Sequence, residues 1–122
     1  MLKLDFSGVE RNEFVSKPGE YIFTITDVEL NPSAKGDSEN LVVFLEVFEP
    51  ADCNGQKARE MVNIHPKYLN ICRPFFEAVT GQEIDGELPF DDERMLIGQK
   101  VGATMVKDGK YYNAETWFHT DK

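Results

Sequence analysis

Hydrophobic and polar residues alternate along several stretches of the chain, which is the spacing of β-strands. Residues 41–50 (LVVFLEVFEP) show this alternation most clearly. One stripe of this stretch is entirely apolar and consists of Leu41, Val43, Leu45 and Val47. The other stripe carries Phe44 and Phe48 beside Glu46, an unusual mixture for a purely solvated face. We expect the first stripe to lie in the core and the second to face outward.

Four more strands are predicted from β-branched and aromatic residues bounded by turn signals. They lie at 20–30, at 57–65 and in the two halves of 99–119. Asn54-Gly55 predicts a hairpin turn between the second and third strands, and Asp108-Gly109 predicts one between the last two. The polar residues 31–40 form the loop after the first strand.

One helix is predicted over residues 66–80, where apolar residues recur at intervals of three and four and Thr80-Gly81 supplies the stop. Pro74 lies inside this pattern, so we expect a kink or two short helices. Residues 82–98 form an acidic connection with a turn of helix begun by Asp91 or Asp92.

The element order is therefore three strands, a helix and two strands. It predicts an all-β protein with small α content, a five-stranded barrel of the OB type with the 66–80 helix packed across one end. A small α+β domain of one sheet and one helix is the competing architecture. We assign residues 1–19 to an N-terminal arm and residues 20–122 to a single domain, as the length of 122 residues favours.

Charge is unevenly distributed along the chain. The formal net charge is −9, from 13 basic and 22 acidic residues. Residues 81–94 hold six acidic side chains against Arg94 alone, a net of −5, whereas residues 57–73 hold four basic side chains against Glu60 alone, a net of +3. An anionic partner must therefore meet the molecule on a limited face.

Several classes of protein are excluded by the sequence. No apolar run approaches the ~20 residues of a membrane span, and the acidic first thirty residues lack the apolar core of a secretory signal. Two cysteines cannot build a disulfide framework or a four-ligand zinc site, and they fit a reducing cytoplasm. Neither His65 nor His119 has a partner at a metal-ligand spacing, and no catalytic or cofactor motif is present. We expect no enzyme, no metal and no cofactor.

Aromatic and basic residues are interleaved in the predicted hairpin at 41–64. Single-stranded nucleic acid is held by positive charge together with aromatic faces on which bases stack. The candidate residues of this hairpin are Phe44, Phe48, Lys57, Arg59 and Met61. They would share one face if the Asn54-Gly55 turn sets the register. The alternative is that the N-terminal arm or a second subunit covers the phenylalanines.

The last hairpin adds further candidates. Lys107 and Lys110 flank its turn, and Tyr111 and Trp117 lie on its more polar stripe, so we expect this aromatic pair to be exposed. Lys35, in the first long loop, completes the rim of a groove of the kind that OB folds build from that loop and the last hairpin turn.

Several segments together resemble one family of small bacteriophage proteins. They are L-D-F (4–6), P-G-E-Y-I-F-T-I (18–25), N-L-V-V-F-L-E-V-F (40–48), the helix end V-T-G, M-L-I-G-Q-K-V-G-A (95–103) and K-Y-Y-N-A (110–114). The proteins of this family, long of unassigned function, are similar to single-stranded DNA-binding proteins. The resemblance implies an OB-type protein of phage replication or recombination that acts in the host cytoplasm, with phage or host replication and recombination proteins as partners.

Two functions fit the sequence. The first is a non-catalytic binder of single-stranded DNA, which we expect to form a homodimer because one small OB fold presents only a short groove. The second is an acidic protein-binding module, such as a phage inhibitor that imitates nucleic acid and blocks a host DNA-handling factor. The net charge favours the second, and the basic 57–73 segment favours the first.

Overall fold

In the part of the chain that the structure describes, the fold consists of five antiparallel strands and one α-helix between the third and fourth of them, which confirms the predicted element order. A computed structural model describes residues 2–5 and 14–121. The elements are β1 (Gly19–Pro32), β2 (Glu39–Glu49), β3 (Lys57–Ile64), α1 (Arg73–Thr80), β4 (Lys100–Asp108) and β5 (Tyr111–Phe118).

The first strand organises the sheet, whose strand order is β3-β2-β1-β4-β5. β1 is 14 residues long. It pairs with β2 from Ile22 to Pro32 and with β4 from Gly19 to Thr24, so the two halves of the sheet share it. At the open seam between β3 and β5, a Glu60 carboxylate oxygen accepts a hydrogen bond from the backbone N–H of Ala114 at 2.5 Å. This is the topology of an OB-type barrel.

The core lies on the inward face of the strands. The apolar stripe of β2 is buried along its whole length, as predicted. It packs with inward residues of β1 and β4, which include Phe23, Ile25, Val101, Ala103 and Met105. Each of these strands shows the period-2 alternation that puts every second side chain inside.

The helix is shorter than the sequence predicts. It begins at Arg73, and residues 66–72 form turns. Pro74 explains the difference, because a proline is tolerated in the first turn of a helix but not in its interior. Gly81 ends the helix in a left-handed conformation, with φ at 74°, and donates its N–H to the Glu77 carbonyl at 2.8 Å. Leu69 and Ile71, which the helical pattern included, are exposed.

The short helix closes one end of the barrel, and Phe75, Phe76, Ala78 and Val79 form its buried face. The Phe75 ring meets the Trp117 ring of β5 edge-on, with the ring centroids 4.8 Å apart. The helix therefore packs on the last strand, as the predicted barrel requires.

The acidic connection contains the predicted turn of helix, at Glu93–Leu96. Asp92 caps it by accepting a hydrogen bond from the Arg94 backbone N–H at 2.9 Å. This bond, together with one from the Arg94 guanidinium, lowers the pKa of the Asp92 carboxyl. Leu96 is buried and fixes this segment to the core.

Part of the N-terminal arm lies along the sheet edge. Phe14 forms a parallel bridge with Lys57, and the Val15 N–H donates to the Lys57 carbonyl at 3.0 Å. Val15 is buried in the core, whereas Phe14 is exposed. The rest of the predicted arm, at positions 1 and 6–13, lies outside the described residues.

In the part of the chain that the structure describes, no helix is long and apolar enough to cross a membrane.

Candidate nucleic-acid interface

The pairing of β2 with β3 puts the aromatic and basic stripes on one face. Phe44 lies directly opposite Arg59, and Glu46 lies opposite Lys57. Directly opposed residues of antiparallel strands project on the same side of a sheet. A two-residue turn at Asn54-Gly55 would put Phe44 opposite His65. Residues 50–56 instead form a longer connection with a short 3-10 helix at Ala51–Cys53. The partner of Phe44 shifts by six residues, an even number, so the predicted side chains still share one face. We call this surface the outer face; its members are Val42, Phe44, Glu46, Phe48, Lys57, Arg59 and Met61.

The members of the outer face differ in their accessibility. Lys57, Arg59 and Met61 are exposed, and Phe44 is half-buried between its neighbours. Val42, opposite Met61, is buried. The centre of the face is therefore a half-buried aromatic side chain with a guanidinium on the residue directly opposite it.

Phe48 occupies a β-bulge, because the pairing of β1 with β2 shifts by one residue between Ile22 and Phe23. The bulge leaves the Phe48 ring exposed. The Lys100 ammonium lies 4.7 Å from the centroid of this ring, within the range of a cation–π interaction. The outer face thus continues from β2 towards β4 through an aromatic and a basic side chain.

Lys100 is a residue of this surface that the sequence pattern does not predict. It lies opposite Thr24, which lies opposite Glu46 on the other side of β1, so these residues form one row across the sheet. This row exists because β1 pairs with both β2 and β4 in particular registers. The hydrophobic pattern of a single strand reveals neither pairing. The stretch at 99–119 gave only the prediction that Lys100 belongs to a strand.

Acidic residues flank the same face on the β1 side. Asp27 lies opposite Phe44, and Glu29 lies opposite Val42. The positive charge of the face is therefore concentrated at its β3 edge, at Lys57 and Arg59. A polyanion would meet this edge first, and would approach β1 against repulsion.

Lys35 lies in the β1–β2 loop and is exposed. Asp37 organises this loop, because it accepts a hydrogen bond from the Ser33 hydroxyl at 3.2 Å. Its other carboxylate oxygen lies 3.5 Å from Nε2 of His65, just after β3. The loop is thus tied to the C-terminal end of β3, at one end of the outer face.

The other predicted rim residues lie at the β4–β5 turn. Lys107 and Lys110 are exposed on either side of this turn, and Tyr111 is 74% exposed. Tyr111 pairs with Asp108, at the start of β5. Three of the predicted binding residues therefore gather at this tip.

Trp117 is not exposed as predicted. It pairs with Ala103, a core residue, and its half-buried ring packs against Phe75 of the helix. The cause is a β-bulge at Glu115, because Thr104 pairs with Thr116 but Met105 pairs with Ala114. The extra residue reverses the faces of the residues after it, so Trp117 points towards the core instead of lying on the exposed stripe with Tyr111.

The remaining chemistry of the described residues is sparse. Residues 2–5 and 14–121 contain no group of three histidine, cysteine, aspartate or glutamate side chains that could hold a metal ion. The sequence matches no model of a known protein family, and it has no match among the curated proteins searched.

Proposed function

We propose that this protein binds single-stranded DNA, without catalysis, on the outer face of β2 and β3. One observation carries the proposal: the pairing of Phe44 with Arg59 at the centre of an accessible sheet face in a barrel of the OB type. OB folds use the corresponding face, with the β1–β2 and β4–β5 loops at its sides, to bind oligonucleotides.

The two side chains would act on different parts of the strand. The accessible side of the Phe44 ring offers a stacking surface for one base, which contributes about 1–3 kcal/mol. Arg59 offers its guanidinium to a phosphate, where it can donate two parallel hydrogen bonds. Lys57 is adjacent along β3, and Lys35, Lys107 and Lys110 extend the positive charge at the two ends.

Because every base has a flat face and the outer face offers few directional donors, binding would show little sequence preference. The acidic residues Asp27 and Glu29 limit the bound strand to the β3 side of the face. Duplex DNA presents no unstacked bases, so it would bind much more weakly.

The first test is titration of a fluorescein-labelled oligo-dT, with a duplex of the same length as the control. We expect Phe44→Leu, which keeps an apolar side chain but loses the aromatic face, to weaken oligo-dT binding by about 1–3 kcal/mol. Tyr68→Leu serves as the matched control, since Tyr68 is an exposed aromatic residue outside the outer face. Equal affinity of wild type and Phe44→Leu, with unchanged thermal melts, would show that the face is assigned wrongly.

The wider setting is also part of the proposal. The resemblance to small phage proteins supports a role in phage replication or recombination in the host cytoplasm. We further propose a homodimer, which would lengthen the surface available to one strand. Light scattering that gives the monomer mass at micromolar concentration, with and without oligo-dT, would contradict the dimer.

A second function is favoured by the acidic side of the outer face. Asp27 and Glu29 lie beside apolar side chains, as the phosphates of a nucleic acid lie beside its bases. Together with the net charge of −9, this arrangement favours an inhibitor that imitates nucleic acid and occupies a host DNA-handling protein. A protein that binds neither oligo-dT nor duplex but competes with DNA for such a factor would have this second function.

A further inference from the structure

A pocket of about 680 Å³ lies between the turns after β3, the helix α1 and the segment at 84–88. None of its lining residues belongs to the outer face. Its floor is apolar and includes Cys72 and Phe76, both of which are buried. The volume is in the range of small-molecule and peptide pockets, about 300–1,000 Å³.

The wall of this pocket is fixed to the helix by hydrogen bonds. The Arg73 guanidinium donates to the Ile84 carbonyl, at 3.1 Å from Nε and 2.7 Å from Nη2. The Ile84 N–H donates to the Glu77 carboxylate at 2.8 Å. Both backbone groups of Ile84 are thus held by helix side chains, so the pocket is formed before anything binds in it.

Apolar side chains stand exposed at the opening. Leu69 is 53% exposed on one side, and Leu88 is 39% exposed on the other. Exposed apolar side chains that line a preformed apolar pocket mark an interaction site, because such surface gains by being covered.

The charge around the pocket selects the partner. Arg73 is paired with Asp85 at 3.3 Å, so these two charges offset each other. Lys67 and Glu87 remain on the lining, and the wall belongs to the segment 81–94, whose net charge of −5 becomes −4 once Asp85 is set against Arg73. A partner that crosses this wall therefore meets a negative field. A second copy that met this pocket with its own 81–94 segment would place two acidic segments together, which disfavours self-association at this surface.

We infer that this pocket is a docking site for a segment of another protein that carries an apolar anchor flanked by lysine or arginine. The anchor enters between Leu69 and Leu88, and the basic residues lie along the acidic wall. This function is additional to DNA binding and uses a different surface, so it gives the protein a means of recruiting a partner while the outer face is occupied.

The test begins with a yeast-displayed library of random 12-residue peptides, selected on the whole protein. We expect enrichment of peptides with one or two large apolar residues beside several lysines or arginines. Affinities of the selected peptides are then measured by fluorescence anisotropy. Failure to enrich any peptide, or enrichment of acidic ones, overturns the inference.

Matched variants locate the binding surface. Leu69→Ser combined with Leu88→Ser should weaken the selected peptides by about tenfold, as loss of a central apolar contact does. Met95→Ser combined with Ile97→Ser is the control, because these exposed apolar residues lie outside the pocket. Glu87→Lys should weaken the same peptides by about threefold at low salt and less at high salt, while Glu115→Lys, on β5, should not.

Three results separate this inference from its alternatives. Equal losses in the pocket and control variants overturn it. Loss of a wild-type dimer in the Leu69 and Leu88 variant, measured by light scattering, would show that a second copy occupies the pocket, which also overturns it. Oligo-dT binding by all these variants is expected to stay at the wild-type level, so the docking site and the DNA-binding face can fail independently.

Discussion

Trp117 is the residue whose predicted and observed positions differ most. We predict that Trp117→Ala lowers the free energy of unfolding by about 3 kcal/mol, the lower end of the range for large-to-alanine changes in a core, because the ring is only half-buried. Its contact with Phe75 holds the helix on β5. Urea unfolding curves measure this loss.

Oligo-dT titration of the same variant, at a temperature where it is folded, gives the complementary result. Affinity close to that of wild type is expected, since the ring lies on the core side of the sheet. A stable Trp117→Ala protein with weakened oligo-dT binding would contradict the inward position.

Individual residues show which features of the site the sequence could predict. Phe44 and Arg59 lie on one face, as predicted, because β2 and β3 pair without a bulge from 39 to 46 and from 57 to 64. The connection at 50–56 is longer than the predicted two-residue turn but leaves the same side chains on that face. Trp117 was placed incorrectly because the bulge at Glu115 depends on how β5 pairs with β4. A bulge that arises from the pairing of two strands leaves no mark on the hydrophobic pattern of either strand alone.

At the scale of elements, the arm and β3 offer a paired test. Phe14 is 64% exposed and Val15 is 7% exposed, although they are neighbours on the same bridge to Lys57. We predict that Val15→Ser lowers the free energy of unfolding by about 1–3 kcal/mol, since it removes a buried apolar side chain and buries a hydroxyl. Phe14→Ser should stay within about 0.5 kcal/mol of wild type. Similar thermal melts for the two variants would show that the arm does not contribute to the core.

The stability that the seam between β3 and β5 contributes should depend on pH. Burial raises the pKa of the Glu60 carboxyl, and the hydrogen bond from the Ala114 N–H opposes this shift without cancelling it. The folded protein therefore holds the Glu60 proton more tightly than the unfolded chain does. The stability contributed by this group is greatest below the unfolded pKa of about 4.3, declines as the pH rises to the raised pKa, and is constant above it.

Comparison with Glu60→Gln isolates this effect. The difference in unfolding free energy, wild type minus variant, should fall as the pH rises from 4 through the carboxyl range and then level off. Glu115→Gln, at an exposed position of β5, is the control for the loss of one negative charge. A difference that rises with pH would mean that the carboxylate is stabilised at the seam.

The hydrophobic pattern of the sequence was enough to predict all five strands, because turn signals bound each of them. It did not suffice for the start of the helix. The apolar residues at 69 and 71 continue the helical spacing, but Pro74 restricts the helix to the residues from Arg73 onward, and no local signal says that the preceding turns leave Leu69 and Ile71 in solvent.

For the whole molecule, the uneven charge predicts a measurable salt dependence. Arg59→Ala should lower the slope of log affinity for oligo-dT against log salt by about 0.7, because one phosphate contact and its released counterion are lost. Arg94→Ala removes the same charge from the acidic connection, where Arg94 pairs with Asp92 at 3.3 Å, and should leave the slope unchanged. Equal slopes for wild type and both variants would mean that the net charge alone governs binding and that Arg59 does not contact the strand.

The shared first strand also determines the order in which the protein can assemble during synthesis. Gly19 pairs with Met105, whereas Leu30 pairs with Leu41. The β1–β2–β3 meander can form as soon as it leaves the ribosome, but the edge of β1 that pairs with β4, from Gly19 to Thr24, must wait until β3 and α1 have been made. Until then a nascent chain carries an unpaired strand edge beside an uncovered core, so release of incomplete chains would favour aggregation. Pairing of partners so far apart in sequence is slow, so we expect closure by the β4–β5 hairpin to limit the rate of folding.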